Sequence, residues 1–296
     1  MSALRCGLVV DGSAALVEDA EHGLAVVPLH IQIGEHEFVD AGNTGTYAAF
    51  YRELRQGGTP TTSTPAPGEY LDAFRTLDAE HIVCLTIPAR WSGMFRSATV
   101  AAEMLAETEG RTRVTVVETP TAIGGLALVA RAVAEVCASG ADVETVLARV
   151  RSASSDVQLY GALMTLTYVA RSGRVNALIA GISNSLHVRP VFRLQNGDPD
   201  RVALTRTASG AVDALERAAM ERLDSIPQWL LVYHADAGEE AAALARRLSG
   251  ATRVARTEVV ELSPIGGAYT GPGAFGFAAL PVDGAPPRDA AASPAF

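Results

Sequence analysis

Short apolar runs alternate with segments of helical hydrophobic spacing through the first half of the chain. The runs predict buried strands at residues 6–10, 25–33, 81–87 and 113–118. Apolar residues recur at helical spacing in the segments between and after these strands, at residues 47–54, 70–77, 97–107 and 124–138. This alternation predicts an α/β fold in which a mostly parallel sheet is sandwiched by helices.

The second half of the chain has a different order of apolar segments and predicts an α+β domain with a mixed sheet. Strands are predicted at residues 157–163, 189–194, 202–207, 229–234 and 254–261. Helices are predicted at residues 210–223 and 239–248, and the glycine-rich segment 267–276 is predicted to be a turn between two apolar strands. We therefore predict an α/β domain over residues 1–155, an α+β domain over residues 156–282 and a disordered tail, rich in Ala and Pro, over residues 283–296.

Hydroxyl side chains follow several predicted strands, at the sheet edge where parallel sheets bind their ligands. Ser13 follows the first strand, and Ser92 and Gly93 lie between the strand at 81–87 and the helix at 97–107. A helix N-terminus offers backbone N–H groups and a positive dipole end to an anion, and a glycine lets a ligand approach closely. The alternative for Ser92 is an ordinary serine N-cap. Thr62 lies in a hydroxyl-rich loop that could reach the same edge.

Composition and charge argue against a nucleic-acid-binding protein and against a protein inserted in a membrane. Hydrophobic residues make up 48% of the 296 residues, which is enough for a full core without disulfides or a metal. The net charge of −9 and the absence of a basic run argue against a nucleic-acid partner, because phosphate contacts need clustered Lys and Arg. No apolar stretch reaches the ~18 residues of a membrane span and no signal peptide is visible, so we expect a cytoplasmic protein without stable membrane insertion.

The common catalytic and cofactor motifs are absent from the sequence. There is no Walker A motif and no GxGxxG after the first strand, and WSGM around Ser92 differs from the GxSxG nucleophile elbow. The scattered cysteines and histidines show no metal-ligand spacing. We therefore expect a binding protein without a cofactor, a metal or a catalytic residue. The alternative is an enzyme that acts on a small anionic or phosphorylated metabolite in the same cleft.

Four segments, taken in order, resemble the DegV family. They are LVVDGS at residues 8–13, TPTTSTPAP at residues 59–67, ARWSGMFRSA at residues 89–98 and GAYTGPGAFG at residues 267–276. The resemblance runs from about residue 6 to about residue 280 and also includes short fragments such as FVD at residues 38–40. It implies a DegV-like fold and the binding of a long-chain fatty acid. Some family members serve as the lipid-carrying subunit of a fatty acid kinase, so the kinase catalytic subunit is the implied partner.

The resemblance also assigns roles to residues of the proposed carboxylate end. Thr62 and Ser92 match family residues that contact the fatty acid carboxylate at the domain interface. Ser63 and Gly93 are their neighbours in the same two loops and are expected to bind the ligand with them. Tyr269 stands where fatty-acid-binding members usually have a histidine that belongs to the carboxylate-end network.

Two arginines are further candidates. Arg174 matches an arginine of a GGR-like segment near the family's binding cleft, although from the residues alone it is equally an exposed helix end. Arg206 matches a recurring basic position that would serve the site entrance or a partner surface. The chain departs from the family at Gly12, usually Ser, and at Met94, usually Thr. The acyl tunnel would enter the second domain, with candidate lining residues Leu163, Met164, Leu166, Leu178, Ile179 and Ile182.

Overall fold

The computed structural model describes residues 4–42, 47–110, 113–173, 188–223, 226–251 and 253–282. The strands within these ranges are β1 Leu4–Asp11, β2 Leu24–Val27, β3 Leu29–Ile33, β4 His36–Asp40, β5 Pro60–Thr62, β6 Ala79–Thr86, β7 Val114–Glu118, β8 Gln158–Ala162, β9 Arg189–Gln195, β10 Asp198–Thr205, β11 Gln228–His234, β12 Val254–Glu261 and β13 Phe275–Pro281. The α-helices are α1 Ala48–Arg55, α2 Pro67–Thr76, α3 Met94–Glu109, α4 Ile123–Ala138, α5 Val143–Asp156, α6 Thr167–Ser172, α7 Ala208–Leu223, α8 Gly238–Ala251 and α9 Pro264–Thr270. The predicted tail at residues 283–296 lies outside the described residues.

The first half forms a four-stranded parallel sheet in the order β2–β1–β6–β7. Its central strands are continuous apolar runs because both faces of the sheet are covered, and Leu8, Val9 and Val10 are fully buried. Helix α2 packs with α3, α4 packs with α5, and both pairs cover the sheet. The carboxyl ends of β1, β6 and β7 therefore lie at one edge, where the chain continues into the loops of the site.

The prediction of a single strand over residues 25–33 is wrong. Pro28 separates β2 from β3, and the two strands belong to different sheets. Strand β3 instead pairs antiparallel with β4 and with β5 in a small three-stranded sheet. Proline has no N–H to donate to a strand ladder and restricts its own backbone, which favours a change of direction at this point. The small sheet places the hydroxyl-rich loop after β5.

The second half forms a six-stranded mixed sheet in the order β10–β9–β8–β13–β11–β12. All neighbouring pairs are antiparallel except β11 and β12, which are parallel. The predicted fold class, a parallel α/β sheet followed by an α+β unit with a mixed sheet, is confirmed. Helix α4 contacts strands of both sheets, and one hydrophobic core continues from one to the other. The domain boundary at residue 155 stays a prediction.

The prediction that residues 267–276 form a turn between two strands is wrong in its first half. Residues Pro264–Thr270 form helix α9, with Pro264 in its first turn, and the chain turns only at Gly271 before entering β13. Proline is favoured in the first turn of a helix because its missing N–H has no intrahelical partner there. Tyr269 is therefore carried by a helix, whose packing determines the position of its side chain.

Candidate functional site

A cleft lies between the carboxyl edge of the parallel sheet and one end of the mixed sheet. It encloses about 1060 Å³ of empty space including its open mouth. Most of its lining is apolar and comes from both halves of the chain: Ile87, Trp91, Met94, Ala122, Ile123, Leu159, Leu163, Val169, Phe192, Leu194, Pro199 and Ile265. A large, mainly apolar cleft with a few polar groups is the usual form of a small-molecule site.

The polar lining consists almost entirely of hydroxyl groups. They are supplied by Ser13, Thr62, Ser63, Thr64, Ser92, Ser172, Tyr269 and Thr270. Among the described lining residues there is no Lys, Arg, His, Asp or Glu. Hydroxyls donate and accept hydrogen bonds without a formal charge, so they suit one small polar head group at the end of an apolar ligand.

Thr62 and Tyr269 meet at this polar end. Thr62 is the last residue of β5 and pairs with Ile31 of β3, and Tyr269 lies on the last turn of α9. Their hydroxyl oxygens are 2.6 Å apart, and either group can be the donor. Both side chains are only partly buried, so the pair is accessible from the cleft. Tyr269 thus lies at the polar end, although the tyrosine is far from Thr62 along the chain.

Ser92 contacts the hydroxyl-rich loop after β5 but does not cap a helix. Its hydroxyl lies 3.5 Å from that of Thr64. The N-cap of α3 is Gly93, and no side chain caps this helix by a hydrogen bond. The alternative interpretation of Ser92 as an N-cap serine is therefore wrong. Gly93 is exposed and is not part of the cleft lining, and a β-carbon at this position would make ordinary contact with Thr64 at 3.4 Å.

Ser13 is held by the buried carboxylate of Asp11. The backbone N–H of Ser13 donates to Asp11 Oδ1 at 2.9 Å, and the Ser13 hydroxyl donates to the same oxygen. Burial raises the pKa of Asp11, and its hydrogen bonds with Ser13 oppose this rise. The Ser13 oxygen keeps its acceptor capacity toward the cleft while its proton is directed to Asp11. Asp11 therefore orients a hydroxyl of the lining from behind.

The predicted basic residues are not part of the described cleft. Arg206 follows the end of β10, is exposed and does not line the cleft, so the prediction that residues 202–207 form a strand is wrong at its end. Arg174 lies outside the described residues. Arg171, which sequence reasoning missed, lines an adjoining groove together with Thr62 and Tyr269 and donates to Thr59 Oγ1 at 3.1 Å. Its only sequence signal was its place three residues before Arg174 of the GGR-like segment.

The candidate tunnel residues are only partly supported by the lining. Leu163 lines the cleft, whereas Met164 and Leu166 do not. The other three candidates, Leu178, Ile179 and Ile182, lie outside the described residues. Sequence reasoning missed Thr270, which lies within the segment at residues 267–276, and Ser172, which lies two residues before Arg174. The side chains of Thr270 and Ser172 face the cleft because α9 and α6 hold them there, and the local sequence pattern does not predict these two helices.

The described lining residues offer hydroxyl groups but no charged side chain. No histidine among the described residues lines the cleft to activate one of its serines or threonines. Within the same described ranges, no group of three or more His, Cys, Asp and Glu side chains could hold a metal ion. No helix of the described chain is long and apolar enough to cross a membrane. The arrangement is best suited to holding a ligand with a long apolar part and a small polar end.

Comparisons with known proteins agree with this geometry. A family model described as "Uncharacterised protein, DegV family" matches residues 5–282. A DegV domain-containing protein of Streptomyces coelicolor is 31% identical over 275 residues, which are 91% of this chain and 96% of the relative. A DegV family protein from Thermus thermophilus, whose structure concerns fatty acid binding, is 28% identical with a TM-score of 0.81 over 94% of this chain and 100% of that one.

A more distant structure shows the same fold. The fatty acid kinase (Fak) B3 protein of Streptococcus pneumoniae, loaded with linoleic acid, is 19% identical with a TM-score of 0.82. The likeness covers 94% of this chain and 100% of that one. Since the family match extends over nearly the whole chain and a relative above 30% identity covers most of it, the chain belongs to the DegV family.

Proposed function

We propose that this protein binds a long-chain fatty acid, with the carboxylate at the hydroxyl-lined end of the cleft and the acyl chain along its apolar walls. The single observation that carries the proposal is the cleft itself, in which the Thr62–Tyr269 hydroxyl pair adjoins a mainly apolar space. The fatty acid binding of the Thermus thermophilus relative supports the same ligand class. Its chemistry, one anion on a long hydrocarbon, matches this distribution of polar and apolar groups.

The carboxylate would be held by hydroxyl donors rather than by a cation. Thr62 and Tyr269 share one hydrogen bond, and a carboxylate that enters between them would accept from both hydroxyls. Hydrogen bonds to an ionised acceptor are about twice as strong as neutral ones, so the exchange is favourable. Ser92, Ser63 and the backbone beside Gly93 would complete this end of the site.

The protein would act as a carrier without catalytic residues. A separate kinase subunit would supply the phosphoryl chemistry, as the fatty acid kinase B3 relative suggests. Arg206, exposed outside the cleft, and Arg174 would then serve the entrance or the surface that meets this partner. The carrier and its kinase partner would meet in the cytoplasm. The alternative of an enzyme acting on a small anionic or phosphorylated metabolite has less support, because no Lys or Arg among the described lining residues would hold a phosphate.

Native mass spectrometry of the protein purified from cells tests this proposal. We expect a co-purifying mass that fits a long-chain fatty acid, and we expect its loss after delipidation. Delipidated protein should take up one molecule of added oleic or palmitic acid. The proposal would be contradicted, and the enzyme favoured, if the protein carries no lipid, binds neither acid and is stabilised by inorganic phosphate.

A further inference from the structure

Helix α9 is anchored at its first turn by a buried carboxylate from the small three-stranded sheet. Asp40 ends β4 and is 1% exposed. The backbone N–H of Ile265 donates to Asp40 Oδ2 at 3.1 Å, and that of Gly42 donates to Oδ1 at 3.3 Å. The buried side chain of Ser263 also hydrogen-bonds to this carboxylate. Three groups therefore converge on Asp40, two of them from the beginning of α9.

The anchored helix carries a large share of the cleft wall. Ile265, Gly266, Tyr269 and Thr270 all line the cleft, and all lie within the two turns of α9. A short helix contributes little stability of its own, so its position depends on contacts at its ends and sides. A shift of its first turn would move Tyr269 relative to Thr62, which belongs to a different element.

A close approach from β1 fixes the other side of Asp40. Gly12 follows β1, and a β-carbon at this position would lie 2.3 Å from the Asp40 carbonyl oxygen and 2.7 Å from Asp40 Oδ1. Only glycine allows this distance. The turn that carries Asp11 and Ser13 therefore packs directly on Asp40, and one carboxylate joins the ends of β1 and β4 to the start of α9.

We propose that Asp40 is a positioning residue of the binding site: its carboxylate fixes the first turn of α9 and thereby sets Tyr269 and Thr270 against the ligand. The assignment deepens the proposed function, because it names the group that holds one wall of the fatty acid site. Asp40 itself does not line the cleft, so it acts through α9.

The surroundings of Asp40 make this anchor sensitive to pH. Burial raises the pKa of Asp40 to about 6, and the nearby acid Asp11 adds to the rise. Other titratable groups on this side are Tyr47 and Tyr51, and Glu261 and Asp236 act on Tyr51. On the side of β1, Arg131 donates to the carbonyls of Ala14 and Ala15 and is ion-paired with Glu258.

Protonation would weaken the anchor. A carboxylate accepts hydrogen bonds at both oxygens, whereas a carboxylic acid turns one of them into a donor. The N–H of Ile265 or of Gly42 would then lose its partner. We therefore expect the hydrogen bonds to hold α9 more firmly above about pH 6 than below it, with a matching gain in ligand affinity, because these bonds favour the charged carboxylate. Burial of the same charge acts in the other direction and lowers the free energy of unfolding of the whole protein.

Amide hydrogen exchange of the ligand-free protein tests the anchor without any assumption about the ligand. Wild type, Asp40→Asn and the exposed control Asp72→Asn are compared at about pH 5 and about pH 7.5, with rates corrected for intrinsic exchange. We expect residues 265–270 to exchange about tenfold faster in Asp40→Asn at the higher pH and at a rate close to wild type at the lower pH. Equal exchange in the variant and wild type at both values, or an equal increase at both, would overturn the proposal.

A double-mutant cycle on affinity tests the coupling to the site. Oleic acid binding is measured at about pH 7.5 for Asp40→Asn, Tyr269→Phe and the double variant. If Asp40 acts through α9, the losses are non-additive, and the double variant binds within about threefold of the weaker single variant. Independent, additive losses would refute the assignment.

A second variant covers the case in which Asp40→Asn does not fold, and the exchange experiment separates the role of Asp40 from the proposed function. Where near-ultraviolet circular dichroism shows that Asp40→Asn does not fold, Ser263→Ala takes its place, and about a threefold effect in the same direction is expected because one of three partners is lost. If wild type binds no long-chain acid, the proposed function fails, whereas the exchange experiment still decides the role of Asp40.

Discussion

The hydroxyl oxygens of Thr62 and Tyr269 lie 2.6 Å apart although the residues are 207 positions apart in the sequence. The contact joins the small three-stranded sheet to α9 at the polar end of the cleft. It places two hydroxyls where a carboxylate can accept a hydrogen bond from each.

Removing either hydroxyl of this pair should weaken fatty acid binding. We expect Tyr269→Phe and Thr62→Val each to lower the affinity for oleic acid by about 1–2 kcal/mol, because each removes one charge-assisted hydrogen bond. Isothermal titration calorimetry measures the effect. Tyr168→Phe is the matched control, since its hydroxyl donates to the Leu54 carbonyl outside the cleft and its loss should affect stability alone. Wild-type affinity in Tyr269→Phe would show that the tyrosine only packs against its neighbours.

Ser92→Ala should separate binding from stability. Because Gly93 and not Ser92 is the N-cap, we expect the free energy of unfolding to stay within about 0.5 kcal/mol of wild type. The affinity for a long-chain acid should fall by roughly 1–3 kcal/mol through the lost hydrogen bond to a charged group. Urea denaturation and calorimetry give the two quantities, with the exposed Ser152→Ala as control. Unchanged affinity would remove Ser92 from the site.

The head group of the ligand should matter as well as its chain. A ligand that binds only the folded state raises the melting temperature. We expect a long-chain fatty acid to stabilise delipidated protein more than the fatty alcohol of equal length, because the hydroxyl-lined end favours an anionic acceptor. Thermal shift assays at matched concentrations make the comparison. Identical shifts for acid and alcohol would be incompatible with a carboxylate site.

Filling the apolar part of the cleft should shorten the preferred acyl chain. Val169 lies on α6, lines the cleft and is 6% exposed. We expect Val169→Phe to displace about two methylenes and so to lower the affinity for an 18-carbon acid about tenfold, at ~0.8 kcal/mol for each buried CH₂. The affinity for a 12-carbon acid should change little. Val39→Phe, at an exposed position, is the control. Equal losses for both acids would place the acyl chain elsewhere.

Titration of Asp40 should make the free energy of unfolding depend on pH. Because the folded pKa of about 6 lies above the ordinary Asp value of about 3.9, the folded protein holds a proton that the unfolded chain has lost between these pH values. The free energy of unfolding should therefore fall as pH rises from about 4 to about 6, by at most roughly 3 kcal/mol. Asp40→Asn should remove this part of the slope in urea titrations. Parallel slopes for variant and wild type would contradict the raised pKa.

The sequence by itself determined the elements whose pattern is long and regular. The apolar runs around Leu8 and Val83 form the central parallel strands, because a strand covered on both faces needs apolar residues throughout. The helical spacing of Phe50, Tyr51 and Leu54 gives the buried face of α1. The serine after β6 could also be recognised as a candidate ligand contact from its place after a predicted strand. The hydroxyl-rich loop could be recognised from its composition and its resemblance to the family.

The tertiary structure decided which of these residues meet. Tyr269 lies on a helix that its glycine-rich segment does not predict, and α9 forms because Asp40 holds its first turn and Gly267 fits against the ring of Tyr51. Local propensity contains no information about a carboxylate more than two hundred residues away. Ser92 has the right residue type for an N-cap, yet backbone geometry gives that position to Gly93. Pairing and packing over long sequence distances, rather than local pattern, therefore assemble the cleft.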